Sequence, residues 1–122
     1  MANPNIVSTT SILAKANTYL LTTSHFDSAL ENGASSNKIL KINTITACNV
    51  SNSDTTVRIV SRTLTGSTND FRIVNQINVP KQTTLVCLST DTPIYLVENQ
   101  RILSKASVNN AIQLSISYEE IS

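Results

Sequence analysis

From residue 38 onward the chain is a succession of short runs rich in Val, Ile, Thr and Leu, each cut off by Asn, Ser, Asp or Pro. "KILKINTITACNV" gives way to "SNSD", "TTVRIVSRTL" to "TGSTND", "FRIVNQINV" to Pro80, and "TTLVCL" to "STDTP". β-Branched side chains suit a pleated surface, so these runs read as strands. No sustained helical period and no strand–helix alternation competes with that reading. Roughly seven or more short strands with polar turns predict an all-β chain, an antiparallel β-sandwich of jelly-roll or immunoglobulin-like type with at most one short helix. A length of 122 residues suits one domain over 1–122, long enough to bury a core without disulfide or metal staples. Pro4 and weak periodicity mark 1–11 as an extended arm that pairs at a sheet edge or lies loose.

Individual runs carry finer expectations. "KILKINTITACNV" is apolar on both faces, as in a central strand. In "FRIVNQINV", Phe71, Ile73, Ile77 and Val79 share one face, interrupted by Asn75. In the last run Ile112, Leu114, Ile116 and Tyr118 line one side. Residues 12–31 are ambiguous, since Ile12, Leu13, Ala16 and Leu20 have helical spacing while "TYLLTT" has strand composition. Ser24 could cap a helical turn carrying Phe26 and Leu30, but strands and loops are the expected outcome. With only 2 glycines, Asn and Asp are expected to shape the turns, because both tolerate left-handed backbone.

Charge narrows the function. The 9 Lys and Arg are dispersed along the sequence among 8 acids, the formal net charge is +1, and charged residues make up 14%. A nucleic-acid binder is expected to cluster its basic residues, so no nucleic-acid partner is expected. The N-terminus lacks a signal-peptide pattern and no run is long enough to span a bilayer, which predicts folding in a cytoplasm and no membrane partner. Asn49-Val50-Ser51 matches a glycosylation sequon that has no meaning without secretion. Cys48 and Cys87 sit in apolar runs, where a buried free thiol is favoured over a disulfide; zinc is not expected.

Few residues suggest chemistry. The single histidine, in "SHFD", stands beside Ser24 and Asp27, but near-neighbours on one segment rarely converge as a nucleophilic triad, and His25 reads as a loop residue. Asp54, Asp70 and Asp91 read as turn-formers, with no calcium-loop pattern around them. Glu119 and Glu120 close the chain as an adjacent acid pair. Strand parity sends them to opposite faces, with Glu120 following Ile116 and Tyr118, so they cannot share a substrate and are left as solvated charges or interface contacts. Arg58, Arg62 and Arg72 are the wet face of a sheet or, less favoured, bridges to neighbouring subunits. No glycine-rich phosphate loop is present, Trp is absent, and several of Tyr19, Phe26, Phe71, Tyr95 and Tyr118 fall at core-facing positions, which lowers the case for a glycan-binding module. No catalytic residue, cofactor or metal is expected.

Four islands, "MANPNIV", "VPKQTTLV", "IYLVENQRILSKAS" and "SYEEIS", resemble small virion structural proteins of marine tailed phages, especially contractile-tailed cyanobacterial phages and their relatives. The resemblance runs through the chain in order, although only these islands are specific. It attaches to Asn3, Pro4, Asn5, Ile6 and Val7; to Val79, Pro80, Leu85 and Val86; to Ile94, Tyr95, Leu96 and Glu98; and to Ser117, Tyr118, Glu119 and Glu120. The sequence departs from the family pattern at Asn99-Gln100, where glycine-aspartate follows the glutamate. The resemblance implies a virion component without enzyme activity: a capsid decoration or cement protein, or else a neck, tail or fibre-attachment protein. A receptor- or glycan-binding module is the reading from another class. The expected partners are further copies of the chain, a trimer for instance, and the major capsid protein or other virion proteins. Asn3, Pro4, Asn5, Ile6, Val7, Tyr118, Glu119 and Glu120 are the candidate interface residues.

Overall fold

The computed structural model describes residues 11–23, 27–64 and 70–122. Nine strands and no helix run through them: β1 (Ile12–Leu20), β2 (Asp27–Asn32), β3 (Ile39–Asn49), β4 (Thr55–Thr63), β5 (Phe71–Val79), β6 (Thr84–Leu88), β7 (Ile94–Leu96), β8 (Gln100–Ala106) and β9 (Ile112–Ile121). They form two antiparallel sheets, one in the order β1-β9-β3-β6 with β7 also paired to β3, the other in the order β2-β8-β4-β5. The expected β-sandwich is what forms, and the ambiguous residues 12–31 contribute two strands. Asn3, Pro4, Asn5, Ile6 and Val7, with the rest of the expected arm up to residue 10, lie outside the described residues, as do Ser24, His25 and Phe26.

The pairings are nested. Ser61 pairs with Phe71 and Thr55 with Val79 in β4–β5; outside them lie Cys48–Thr84 and Ile45–Leu88, then Asn32–Gln100 and Asp27–Ser104, and outermost Leu20–Gln113 and Ile12–Ile121. One long antiparallel ribbon has been folded over on itself, with its rungs dealt alternately to the two sheets. That is the jelly-roll arrangement; in an immunoglobulin sandwich the first two strands are sheet neighbours. Burial drives the fold-over. Leu40, Ile42, Ile45, Ala47, Ile112, Leu114, Ile116 and Tyr118 on one sheet meet Leu30, Val57, Ile59, Val74 and Ile102 on the other in one apolar cluster. β9 alternates buried and exposed from Ile112 to Tyr118, as its sequence predicts.

In β5 the expected face forms only in part: Ile73 and Val79 pack on the core. Phe71 is 72% and Ile77 45% exposed, whereas Val74, which strict alternation assigns to the other side, is buried. Register shifts against β4 insert extra residues into β5, and Gln76 takes a left-handed φ of 53°. Each inserted residue reverses parity, so period-two reading fails there.

Left-handed backbone occurs at Ser35, Asn37, Gln76, Gln82, Asn99 and Asn110. Asn occupies three of these six positions; Asp occupies none of them among the described residues. Asn99 takes a φ of 64°, a left-handed conformation that asparagine tolerates.

Among the described residues the core holds one unpaired hydroxyl. Ser104 is fully buried on β8 and its Oγ has no hydrogen-bond partner. Replacing it with alanine removes a desolvated polar group rather than a bond, so Ser104→Ala is expected to leave stability unchanged or raise it by about 1 kcal/mol in urea unfolding.

Candidate interaction faces

The terminal glutamates part as strand parity requires. Opposite residues in register share a face, which sets Glu120 with Leu13 and Leu40 on the inner side and Glu119 with Ala14 and Lys41 on the outer side. Tyr118 is buried in the core cluster and anchors the strand. Glu119 accepts a hydrogen bond from Asn43 Nδ2 at 3.0 Å, Asn43 being the extra residue at a bulge in β3. Glu120 lies at the rim of the core with its side chain 12% exposed. It accepts from Lys15 Nζ on β1 at 2.6 Å and forms a second ion pair with Lys38, just before β3. Both acids therefore have partners within the chain.

The two lysines, Lys15 first, hold the Glu120 carboxyl below its ordinary value of 4.5. A carboxylate with a depressed folded-state pKa contributes stability above its unfolded pKa and loses that contribution as pH falls through the folded value. Glu120→Gln should therefore melt below wild type at pH 7, with the gap closing as the pH is lowered past 4.5 toward the depressed value; a gap that is independent of pH would count against this assignment.

The outer face of the β1-β9-β3-β6 sheet is nearly free of charge. Ala14, Ala16 and Thr18 on β1 lie alongside Glu119, Ser117 and Ser115 on β9, which in turn oppose Lys41, Thr44 and Thr46 on β3. Lys41 and Glu119 sit opposite one another. Around this small-residue surface Ile12, Leu20, Val86 and Tyr95 are 44–60% exposed. Cys48 belongs to this face, opposite Gln113 and Thr84. Cys87, the extra residue of the β6 bulge, packs against the core instead. Both thiols are free and half-buried, and burial pushes that of Cys87 up to about 11.

The outer face of the second sheet is cationic. Arg58 opposes Lys105, Arg62 opposes Arg101, and Arg72 opposes Val60 on the side turned away from Val57 and Ile59. Five of the nine basic residues thus share one face, although the sequence scatters them; only folding brings positions 58, 62, 72, 101 and 105 together. Asp70 answers Arg62 with a bidentate pair, Nε to Oδ1 at 2.5 Å and Nη2 to Oδ2 at 3.0 Å, which holds its carboxyl below 3.8. Asp70 is thus more than the turn-former expected. Asp54 does tie a turn, accepting from the Lys81 backbone N–H at 3.0 Å. Val60 and Leu103, side by side on this cationic face, are buried, flanked by long side chains whose aliphatic stems can cover them. An open pocket of about 180 Å³ is lined by Thr23, Thr56, Arg58, Gln76, Lys105, Ala106 and Ser107.

Two buried asparagines stitch loops to the sandwich ends. Asn49 Nδ2 donates to the carbonyls of Ser53 and Val79 at 2.8 and 2.9 Å, while its Oδ1 accepts from Ser51 N–H and Oγ–H. Asn32 Nδ2 donates to the carbonyls of Lys38 and Leu96, both at 2.9 Å. The sequon asparagine is therefore a structural residue whose amide nitrogen is already engaged, a role that the sequence did not signal.

Among the described residues no group of three or more His, Cys, Asp or Glu is placed to hold a metal ion, and no helix is long and apolar enough to cross a membrane. No family model, curated protein or solved structure matches the chain.

Proposed function

We propose that this protein is a non-enzymatic structural component of a phage virion, made in the host cytoplasm and laid on the head as a capsid decoration or cement protein. The observation that carries the reading is the outer face of the β1-β9-β3-β6 sheet, a surface of Ala, Ser and Thr whose charges are the opposed pair Lys41 and Glu119, bordered by exposed Ile12, Leu20, Val86 and Tyr95. A surface depleted of charge and bordered by apolar side chains suits burial against a larger body, here the major capsid protein or another virion protein. The sequence resemblance to phage virion proteins points the same way. Repetition over a particle lets contacts of modest strength add up.

Removing residues 117–122 does not test this cleanly. That segment pairs with β1 on one side and β3 on the other, so its loss disrupts the fold itself. Thr46→Arg with Ser115→Arg instead places charge in the middle of the face without touching the core. The folded double variant is expected to be missing from particles that incorporate wild type. Particles carrying it at wild-type occupancy would overturn the reading, and a particle map that puts the protein on the neck or tail would replace the head assignment.

A second reading rests on Phe71. It is 72% exposed, an aromatic platform of the kind a receptor- or glycan-binding module uses. That reading requires binding to a glycan array that Phe71→Ala abolishes.

A further inference from the structure

Among the described residues no strand pairs with the outer edge of β1. Ser11 and Ser122 exchange both N–H···O bonds, at 3.1 and 3.0 Å, and Leu21 N–H donates to Ile112 at 3.0 Å. Antiparallel ladders alternate, so the odd-numbered residues between them spend their backbone groups on β9. The N–H and C=O groups of Ile12, Ala14, Ala16, Thr18 and Leu20 consequently point outward along the free edge. The side chains of these residues are exposed as well, and none is charged or proline, the usual edge protection. Lys15, an inward-pointing charge of the protective kind, is tied up by Glu120 at 2.6 Å.

We infer that this edge pairs with the same edge of a second copy, antiparallel about a twofold axis through Ala16, to make one continuous sheet from two chains. The strand is complementary to itself in that register alone. Ile12 meets Leu20 of the second copy, Ala14 meets Thr18, and Ala16 meets Ala16, so the full length of β1 is used. On the inner side Leu13 meets Tyr19 and Lys15 meets Asn17. The exposed large apolar residues of β1, Ile12 at 56%, Leu13 at 49% and Leu20 at 44%, thereby each gain a hydrophobic or aromatic partner, and every such contact is made twice. Sliding by two residues one way sets Lys15 against Lys15; the other way sets Asn17 against Asn17, and either slide separates Ile12 from Leu20. Sliding by one residue is forbidden because the odd-numbered backbone groups are already bonded to β9. Such an interface is isologous, with each contact made twice.

The inference concerns the chain in solution and holds or fails whatever its place on a particle. Sedimentation equilibrium of the full chain is expected to show a concentration-dependent dimer. Ala16→Pro removes an N–H that only the second copy uses, so it should keep the wild-type circular dichroism and weaken association by about 100-fold or more. Ala16→Lys, which sets like charges together at the axis, is the second variant should proline disturb the strand, and it should weaken association likewise. Because Ala14 faces Thr18, Ala14→Glu and Thr18→Lys combined in one chain place opposite charges across the axis twice and should dimerise, whereas Ala14→Lys with Thr18→Lys should not. A wild type that stays monomeric at high micromolar concentration, a dimer indifferent to Ala16→Pro and Ala16→Lys, or a charge-swapped pair no tighter than the like-charged pair would each overturn it.

Discussion

Asn49→Ala is expected to remove about 2–4 kcal/mol of folding stability, a large share of the roughly 5–15 kcal/mol that holds a domain of this kind together. The side chain is fully buried and all of its polar atoms are used. Truncation leaves the buried Val79 carbonyl without its amide donor and releases the Ser51–Ser53 turn, which Asn49 holds from both ends. The desolvation of the abandoned groups, more than the lost bonds, sets the size of the effect. Asn49→Asp discriminates the two halves of the site, since it keeps an acceptor for Ser51 and loses the donor to Ser53 and Val79. It should be destabilised as severely as alanine. Urea unfolding measures both, as a fall in midpoint at constant slope; a cost under about 1 kcal/mol for Asn49→Ala would mean that water replaces the amide and that the stitching role is wrong.

Leu114→Ala should cost about 2–5 kcal/mol. Leu114 is fully buried near the start of β9, with Tyr19 opposite on β1 and Ala47 opposite on β3. Alanine at 47 cannot reach across to fill the cavity, and the strand is held on both sides, so collapse is limited and the cost belongs in the upper part of that range. The control is Leu13→Ala on the same inner face of the same sheet. Leu13 lies at the rim, 49% exposed, and its truncation should cost about 1 kcal/mol or less. Equal losses at the two sites would contradict the assignment of the core.

How much of this was legible in sequence depended on whether a strand buries one face without interruption. β9 does, and the alternation of Ile112, Leu114, Ile116 and Tyr118 was readable without structure, as was the parting of Glu119 and Glu120. β5 does not, because Gln76 bends the strand and inserted residues reverse its parity; nothing in "FRIVNQINV" announces a left-handed glutamine. β1 was ambiguous for a physical reason: as an edge strand exposed on most of its length, it has no buried face to impose a period. The cationic face was hidden because it is a property of register, assembled from residues on three strands. Asn49 was invisible for the opposite reason, since a buried asparagine and a turn asparagine look alike until the loop closes over one of them.

The nested ribbon has a kinetic meaning. The innermost rung, β4 with β5, closes a short loop, and once it has formed each later rung closes one only slightly longer, whatever the numbering distance between its strands. Ile12 and Ile121 are far apart along the chain but become near neighbours when the inner rungs are in place. Folding that zips outward from β4–β5 escapes most of the loop-closure entropy that so non-local a pairing would otherwise impose. Substitutions in β4 and β5 should then slow refolding, while those in β1 and β9, Leu114→Ala included, should mainly speed unfolding. The strand offered to a second copy would be the last part of the chain to come in and the first to leave.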